Sequence, residues 1–309
     1  MGREIFYFLI FPGILFSGII GGLLSWFDRK ITARIQFRQG PPLLQPFYDF
    51  FKLLIKETIV PSKGSRFTFL VAPILALFGA ATAAVLILLP ALGINSGFNG
   101  DIIVIIYILN IPSITYIIGA LASGNPLAAV GASREMKLIL SYEVPFLLVL
   151  TSIVIKSGMS ISVSDIISVQ IQDGAFLGSI SGIIGFIVSI LCIQAKLGLI
   201  PFDIAEAEGE ICDGVVIEYS GTPLALIKLT KYIMLLAVPS FVLTLFWKGL
   251  ALQGINILWT VLKILFVVLL LTLIRNTNPR VKINQAMKFF WVWMNLFAII
   301  TVVLSILGL

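Results

Sequence analysis

An acidic stretch in the second half of the chain carries the residues whose spacing most clearly suggests proton chemistry. Six carboxylates fall within 16 residues: Asp203, Glu206, Glu208, Glu210, Asp213 and Glu218. If the stretch is helical, Asp203, Glu206, Glu210 and Asp213 share one face. Their like charges would then raise one another's pKa values, so that protons could pass between neighbours. Gly209 and Gly214 argue against an unbroken helix. The alternative is that Asp203 caps a helix with Glu206 as its capping-box partner, while the other carboxylates pair with a basic loop near the N-terminus.

Glu143 is a second candidate, because it lies inside an apolar run, about 9 Å along a helix from Lys137. An ionisable group near the bilayer centre costs roughly 2.5–3.5 kcal/mol on insertion scales, so a functional role is the first hypothesis. Pro145 removes one backbone hydrogen bond nearby and leaves polar backbone available to water or a side chain. The sequence predicts that Glu143 belongs to a proton path. The alternative is a buried carboxylate paired with Arg134 or with a neighbouring helix.

The usual metal-ligating side chains are scarce. The chain has no histidine and only two cysteines, Cys192 and Cys212. Iron–sulfur clusters, haem and zinc are normally held by these residue types. We therefore expect no catalytic residue, no metal ligand and no cofactor-binding residue in this chain, and we expect redox chemistry to reside in partner subunits.

Membrane-spanning helices must position these candidates. The chain is 59% apolar and only 12% charged, whereas soluble domains carry about 25% charged residues, which excludes an ordinary soluble enzyme. Since lipid leaves no partner for free backbone polar groups, and alternating barrel strands are absent from the sequence, the long apolar runs must be helices. The predicted fold is an all-α integral membrane protein with about eight transmembrane helices, forming a single polytopic domain over residues 1–309. The apolar runs of spanning length are Ile5–Phe27, Phe67–Leu92, Ile102–Ala122, Leu138–Ile155, Ile180–Ala195, Leu224–Trp247, Ile255–Ile274 and Phe289–Leu307.

Basic residues are concentrated on one side of the predicted spans. Of the 21 Lys and Arg residues, 17 fall in alternate loops and only Arg3, Lys156 and Lys248 fall on the opposite side. Lys263, inside a span, is expected to extend its amine toward the interface. The positive-inside rule places the basic loops in the cytoplasm and both termini outside. Because the positive charges follow membrane topology, we expect the lipid bilayer and no nucleic acid as a partner.

Two cytoplasmic loops stand out by charge, a basic loop over residues 28–66 and an acidic loop over residues 196–223. Within the basic loop, Pro46 can begin a helix with one apolar face and one charged face. Such a helix is expected to lie in the membrane interface, although a packed lateral helix without a ligand role fits the pattern equally well. The apolar face contains Phe47, Phe50, Phe51, Leu54 and Ile55, and the charged face contains Asp49, Lys52 and Lys56.

Four sequence blocks resemble those of complex I subunit 1. The first is Arg38–Pro46 (RQGPPLLQP), followed by Asp49 and Lys52. The second and third are Gly131–Glu135 (GASRE) and Ser141–Glu143 (SYE). The fourth combines Pro201–Glu208 (PFDIAEAE) with Glu218–Gly221 (EYSG). On these blocks and its pattern of spans, the chain is identified as a member of this family.

The resemblance implies a role for named residues. In the family, this subunit lies under a cluster-carrying peripheral arm and joins it to an ion-pumping membrane arm, and its carboxylates form the first part of the proton path. The corresponding proton-path candidates here are Glu143, Asp203, Glu206, Glu208, Glu210, Asp213 and Glu218. A partner-docking surface is implied around Arg34, Arg38, Asp49, Lys52 and Arg134.

The first block departs from the quinone-reducing members, which usually have Gly-Pro-Asn and a few more residues before the Leu-Gln-Pro element. Here Pro42 runs directly into Leu43, which resembles the membrane-bound nickel–iron hydrogenase branch and puts a full quinone chamber in doubt. We therefore expect the membrane-anchor and coupling subunit of a ferredoxin-dependent, ion-translocating respiratory hydrogenase in a prokaryotic cell membrane. The expected partners are peripheral hydrogenase-like large and small subunits with iron–sulfur proteins, carrying iron–sulfur clusters and a nickel–iron centre, together with antiporter-like and small membrane subunits.

Three alternatives stay open at this point. One is the quinone-site subunit of complex I, and another is the equivalent subunit of a membrane-bound sulfur-reducing complex. The third, from a different class, is a free-standing secondary transporter with a substrate site at the membrane midplane. That hypothesis predicts internal repeats, which are not apparent in the sequence.

Overall fold

The computed structural model describes residues 2–62, 64–90, 100–251, 254 and 256–309, and of Glu208 it describes the backbone only. These residues form helices and loops, and no β-strand occurs among them. The helices are α1 (Gly2–Leu9), α2 (Ile14–Ile35), α3 (Gln45–Ile55), α4 (Arg66–Leu88), α5 (Asp101–Ala122), α6 (Pro126–Lys156), α7 (Val163–Asp173), α8 (Ile180–Lys196), α9 (Glu208–Ile211), α10 (Gly221–Phe246), α11 (Asn256–Thr277), α12 (Ile283–Lys288) and α13 (Asn295–Ile306). Short 3-10 turns lie at Phe176–Gly178 and Gly214–Val216, and a π-helical turn joins α12 to α13 at Phe289–Met294.

The predicted all-α membrane fold is confirmed. Seven helical stretches of the described chain are long and apolar enough to cross a membrane, and the shorter apolar helix α8 corresponds to the remaining predicted span. The first stretch, Gly2–Ile35, is interrupted between α1 and α2.

The fourth span differs from its prediction at its start. Helix α6 begins at Pro126, twelve residues before the apolar run does, and Asn125 caps it by accepting a hydrogen bond from the Leu127 N–H at 2.8 Å. A proline in the first turn and an Asn cap are both favourable for a helix start. The charged residues Arg134, Glu135 and Lys137 are therefore inside the helix rather than in a loop.

Helix α10 forms the centre of the bundle, and 89% of its most apolar 18-residue stretch is buried. It packs against α2, α3, α4 and α11, among others. Helix α4, which packs against both α5 and α10, carries fully buried alanines, including Ala76, Ala80 and Ala84. Small side chains let helix backbones come close where lipid gives no hydrophobic driving force.

The predicted amphipathic helix is present as α3, which packs against α2 and α10. Pro46 and Leu53 are buried, whereas Phe51 and Ile55 are exposed. On its inner side, the Phe47 ring contacts Gly22 so closely that a Cβ there would lie 3.0 Å from the ring. The location of α3 in a membrane interface stays a prediction.

Candidate functional site: a file of charged residues

The acidic segment between α8 and α10 is not one helix. Only Glu208–Ile211 is α-helical, and Cys212 and Asp213 adopt left-handed backbone conformations with φ of 48° and 67°. The condition for four carboxylates to share a helix face is therefore not met. A capping box of Asp203 with Glu206 is not formed either, because both residues precede α9 and pair with other elements.

Close backbone packing holds the acidic segment against α6. A Cβ on Gly131 would lie 2.7 Å from the backbone nitrogen of Val215 and 3.0 Å from the carbonyl oxygen of Ala205. Backbone atoms cannot move aside as a flexible side chain can. Glycine at this position of α6 thus allows the segment to lie directly on the helix.

The acidic side chains with described contacts bind partners from several parts of the bundle. Arg280, between α11 and α12, binds Asp203 at 3.0 Å, and Lys231 of α10 binds Glu206. Arg134 of α6 binds Glu210 at 2.6 Å, and the Asn125 amide donates to Glu218 at 2.5 Å. Asp213 is exposed, and the side chain of Glu208 lies outside the described part. None of these described contacts joins the acidic segment to the basic first loop, so the expected pairing between them is not observed in the described residues.

Glu143 lies on α6, at one end of a hydrogen-bonded series that continues through Asn110 to Lys196. The Asn110 amide of α5 donates to Glu143, and the Lys196 amine at the end of α8 donates to the Asn110 side-chain oxygen. Asn110 and Lys196 are only 5% and 7% exposed. Glu143 is thus held by neighbouring helices and does not pair with Arg134, which binds Glu210 instead.

Glu135 and Lys196 link the acidic segment to Glu143 electrostatically. Sequence analysis did not single out either of them as a site residue. Glu135 on α6 hydrogen-bonds to Ser113 and lies within electrostatic reach of Glu206, Lys231 and Lys196. Lys196 in turn interacts with both Glu135 and Glu143. A sequence signal for Glu135 existed, since it precedes Glu143 by eight residues, close to two helical turns. Lys196 gave none, because it ends an apolar run where a flanking lysine is ordinary.

These groups form what we call the charge file, a series of ionisable and amide side chains from the acidic segment to α6 that interact through ion pairs, hydrogen bonds or nearby charge. In spatial order its members are Asp203 with Arg280, Glu206 with Lys231, Glu135, Lys196, Asn110 and Glu143. A cavity with about 60 Å³ of space for water centres is lined by Glu135, Lys196, Asp203, Glu206 and Lys231. A water needs roughly 10–15 Å³ on that measure, so the cavity has room for several.

A larger polar cavity of about 400 Å³ lies beside the first and shares Asp203, Glu206 and Lys231 with it. Its far wall includes Asp28, whose carboxylate accepts from Arg275 at 2.6 Å and from Thr272 at 2.9 Å. The side chains of Lys231 and Glu206 are 41% and 28% exposed, and both line these two cavities. The middle of the file therefore borders polar space large enough to hold water.

Burial raises the pKa of the Asp203 carboxyl to about 6, and the neighbouring charge of Glu206 adds to the rise, while Arg280 and Lys231 oppose it. With a pKa of about 6, roughly a tenth of the Asp203 carboxyls carry a proton at pH 7. Asp203 is thus poised to gain and lose a proton near neutral pH.

We expect Arg280→Gln to raise the pKa of Asp203 further, because the substitution removes the cation that favours the ionised form. The fraction of protonated Asp203 at pH 7 should increase. Infrared difference spectra of the carboxyl C=O stretch over pH 4–9, assigned with Asp203→Asn, measure this midpoint. Lys282→Gln removes a nearby exposed cation as a control, and identical midpoints in Arg280→Gln and the unaltered protein would contradict the expectation.

Four of the five expected docking residues lie on or near the segment joining α2 to α3, whereas Arg134 lies on α6 and binds Glu210. Arg34, Arg38 and Lys52 are exposed, and Phe37 between the two arginines is 100% exposed. Asp49 instead binds Arg29 at 3.0 Å and Gln45 at 2.9 Å. Burial would raise the pKa of Asp49, but these hydrogen bonds outweigh it and hold the pKa below its usual value. A docking role for this surface stays a prediction.

The described residues contain no group of three or more Cys, Asp or Glu side chains arranged to hold a metal ion. Cys192 is buried and Cys212 is exposed. We expect the folded chain, purified apart from its partners, to contain no iron, nickel, flavin or haem. Elemental analysis and a visible absorption spectrum test this, and stoichiometric iron in the isolated folded chain would contradict it.

The fold and the charge file define a multi-span membrane protein that carries ionisable groups from a loop segment into its helix bundle. The NADH dehydrogenase family profile matches residues 8–306. A subunit of the NADH-quinone oxidoreductase of Dehalococcoides mccartyi strain CBDB1 is 34% identical, with 92% of this chain and 82% of the relative aligned. The corresponding subunit of Thermomicrobium roseum is also 34% identical, with 90% and 89% aligned.

Among solved structures, a chain from the membrane-bound sulfane sulfur reductase, an archaeal respiratory membrane complex, superposes with a TM-score of 0.89. It is 27% identical and the match covers 99% of this chain and 100% of that one. The chain therefore belongs to the NADH dehydrogenase family, the family of complex I subunit 1. It is a multi-pass membrane subunit of a complex I-like oxidoreductase, and the family assignment argues against a free-standing transporter.

Proposed function

We propose that this chain couples electron transfer to ion pumping in a ferredoxin-fed respiratory complex, linking a peripheral redox arm to an ion-pumping membrane arm. The observation that carries the proposal is the charge file, in which ion pairs, hydrogen bonds and electrostatic interactions link each group from Asp203 to Glu143 with the next. Acidic and basic members follow one another along it. A change of charge at one end therefore changes the balance of every pair beyond it.

The acidic end is the input. Asp203 titrates near neutral pH and lies on a loop segment outside the spanning helices. Protonation of Asp203 would weaken its pair with Arg280 and reduce the negative charge facing Lys231. Lys231 would then bind Glu206 more strongly and attract Glu135 less, which shifts the proton balance toward Lys196 and Glu143.

The output is Glu143, which is only partly buried and lies beside outward-facing residues of α6 such as Leu140 and Leu147. A partly exposed carboxylate on a helix surface in lipid would be costly. This supports a neighbouring membrane subunit, antiporter-like or small, at that face. Iron–sulfur and hydrogenase-like subunits would dock at the opposite end, around Arg34, Phe37 and Arg38 on the basic cytoplasmic side, with both termini outside.

The terminal acceptor we propose is protons, so the complex would be a hydrogenase whose partner subunits hold a nickel–iron centre. Support comes from the short connection between α2 and α3, in which the Trp26 indole N–H donates to the Pro41 carbonyl at 3.1 Å. A Cβ on Gly40 would lie 2.7 Å from the Lys30 side chain. The connection lies flat on α2, which supports a compact arrangement rather than a loop extended around a quinone.

Two other acceptors each have an observation in their favour. Sulfane sulfur is favoured by the match to the sulfur reductase subunit over its full length. Quinone is favoured by an apolar pocket of about 360 Å³ between α2, α3 and α10, which shares Tyr232 with the 400 Å³ polar cavity. An apolar tail and a polar headgroup would need such a pair of spaces.

We expect the native complex to evolve H₂ from reduced ferredoxin without added quinone, and quinone-site inhibitors to have little effect. Gas chromatography follows H₂ in detergent-solubilised complex with ferredoxin alone, with quinone and with polysulfide, and samples lacking ferredoxin are the control. Sulfide formation without H₂ would replace the hydrogenase assignment with a sulfur reductase. Quinone reduction without H₂ would replace it with a quinone reductase, and neither result would change the proposed coupling role.

A further inference from the structure

A third pocket, of about 460 Å³, lies at the surface where α8, α11 and α12 meet and takes no part in the charge file. One part of its wall is apolar and comes from Leu191, Ile274, Phe289 and Trp293. Gln285 and Lys288 line another part. The pocket therefore offers an apolar space with a cationic, hydrogen-bonding rim.

The surroundings of this pocket carry positive charge that the chain does not balance. Residues 219–309 contain no Asp or Glu. Arg275 and Arg280 pair with Asp28 and Asp203, whereas no ion pair of Lys282 or Lys288 occurs within the described ranges. Both of these lysines are exposed. An anionic group from outside the chain would complement them.

Exposed aromatic side chains beside the pocket indicate that it lies at the membrane interface. Trp291 and Trp293 are 54% and 55% exposed in the π-helical turn that forms part of its wall. Exposed tryptophans gather at the headgroup level of bilayers, and π-helical turns occur frequently at functional sites. Basic pockets between spanning helices on the cytoplasmic side bind acidic lipid headgroups.

We propose that this pocket binds a phospholipid with an acidic headgroup. One acyl chain would lie along Ile274, Phe289 and Trp293, and the phosphate would accept hydrogen bonds from Lys288 and Gln285. The other lysine, Lys282, adds electrostatic attraction at the start of α12. A zwitterionic lipid has no net charge, so it would leave the positive charge of the two amines unbalanced.

The proposed lipid lies directly behind the beginning of the charge file. Pro201 and Phe202 line the same pocket, and the Val281 N–H donates to the Pro201 carbonyl at 3.1 Å. Phe202 also packs on Phe290 with ring centroids 4.8 Å apart. A lipid filling the pocket would brace the connection that carries Arg280 against Asp203.

The test uses the full chain in phosphatidylcholine nanodiscs, with increasing mole fractions of brominated phosphatidylglycerol as the quenching probe. The fluorescence of Trp293 is obtained by difference from Trp293→Phe. We expect half-quenching at roughly 25-fold lower mole fraction than with brominated phosphatidylcholine, because each of the two nearby lysines contributes roughly fivefold for an acidic headgroup. This comparison on the unaltered chain needs no charge variant.

Lys282→Gln with Lys288→Gln should raise the half-quenching mole fraction of phosphatidylglycerol by roughly 25-fold, whereas Lys56→Gln, an exposed lysine of the first loop, should leave it unchanged. Equal quenching by the two lipids would overturn the proposal, and so would an unchanged value in the double variant. In the intact complex, native mass spectrometry should find the acidic lipid retained. Cross-linking of Trp293→Cys to a neighbouring subunit, with no lipid retained, would instead make the pocket a protein interface.

Discussion

Ion translocation by the assembled complex is expected to fall on the order of 100-fold when Glu143 is replaced by Gln, the scale on which a positioned proton-transfer group contributes. Glutamine has nearly the same shape and can still accept the hydrogen bond from Asn110, but it cannot ionise. Assembly should therefore be preserved while the last proton-carrying group of the file is lost. The measurement is ion uptake into inverted, sealed vesicles at equal complex content.

Glu57→Gln is the matched control, since Glu57 is an exposed carboxylate outside the charge file. It should leave uptake unchanged. If Glu143→Gln also pumps at the normal rate, Glu143 is a structural carboxylate held by Asn110 and the proposed output of the file is wrong.

A loss of similar size is expected for Lys196→Met, which removes the cation of the file that interacts with both Glu135 and Glu143. Methionine keeps much of the length of the side chain and removes its charge. The Asn110 oxygen also loses its donor, and an unsatisfied buried acceptor costs about 1–3 kcal/mol of stability. The free energy of unfolding should thus decrease together with translocation.

Lys196→Arg separates these two effects, because it keeps a positive charge and a donor for Asn110. It should recover much of the stability, and the remaining translocation then reports on position alone. Lys56→Met is the exposed control. Normal ion uptake in Lys196→Met would show that the acidic segment and Glu143 work independently.

The two variants should not be additive. If both residues serve one route, Glu143→Gln combined with Lys196→Met should lower translocation no further than either alone, as for groups that act as a unit. Independent routes would multiply the two losses. The double variant therefore tests the continuity of the file directly.

The sequence alone determined the spanning helices, since bilayer thickness fixes how many consecutive apolar residues a span needs and the backbone must bond within each helix. It also identified α3, because the periodicity of Phe47, Phe50 and Phe51 is a local property of the chain. Glu143 was recognised for the same reason, as a carboxylate whose immediate neighbours are apolar. In each of these cases the relevant interactions are set within about 20 residues.

Only the tertiary structure decided which charges meet. The acidic segment was expected to form a helix face or to pair with the first loop, yet Asp203 binds Arg280, 77 residues away, and Glu206 binds Lys231. Asp28 and Arg275 are separated by 247 residues. Such pairs depend on which segments pack side by side, as where Gly131 lets the acidic segment lie directly on α6. Glu135 and Lys196 became visible as members of the file for this reason. The helical spacing of Glu135 from Glu143 does not show which charges Glu135 meets, and Lys196 resembles any lysine that flanks a membrane span.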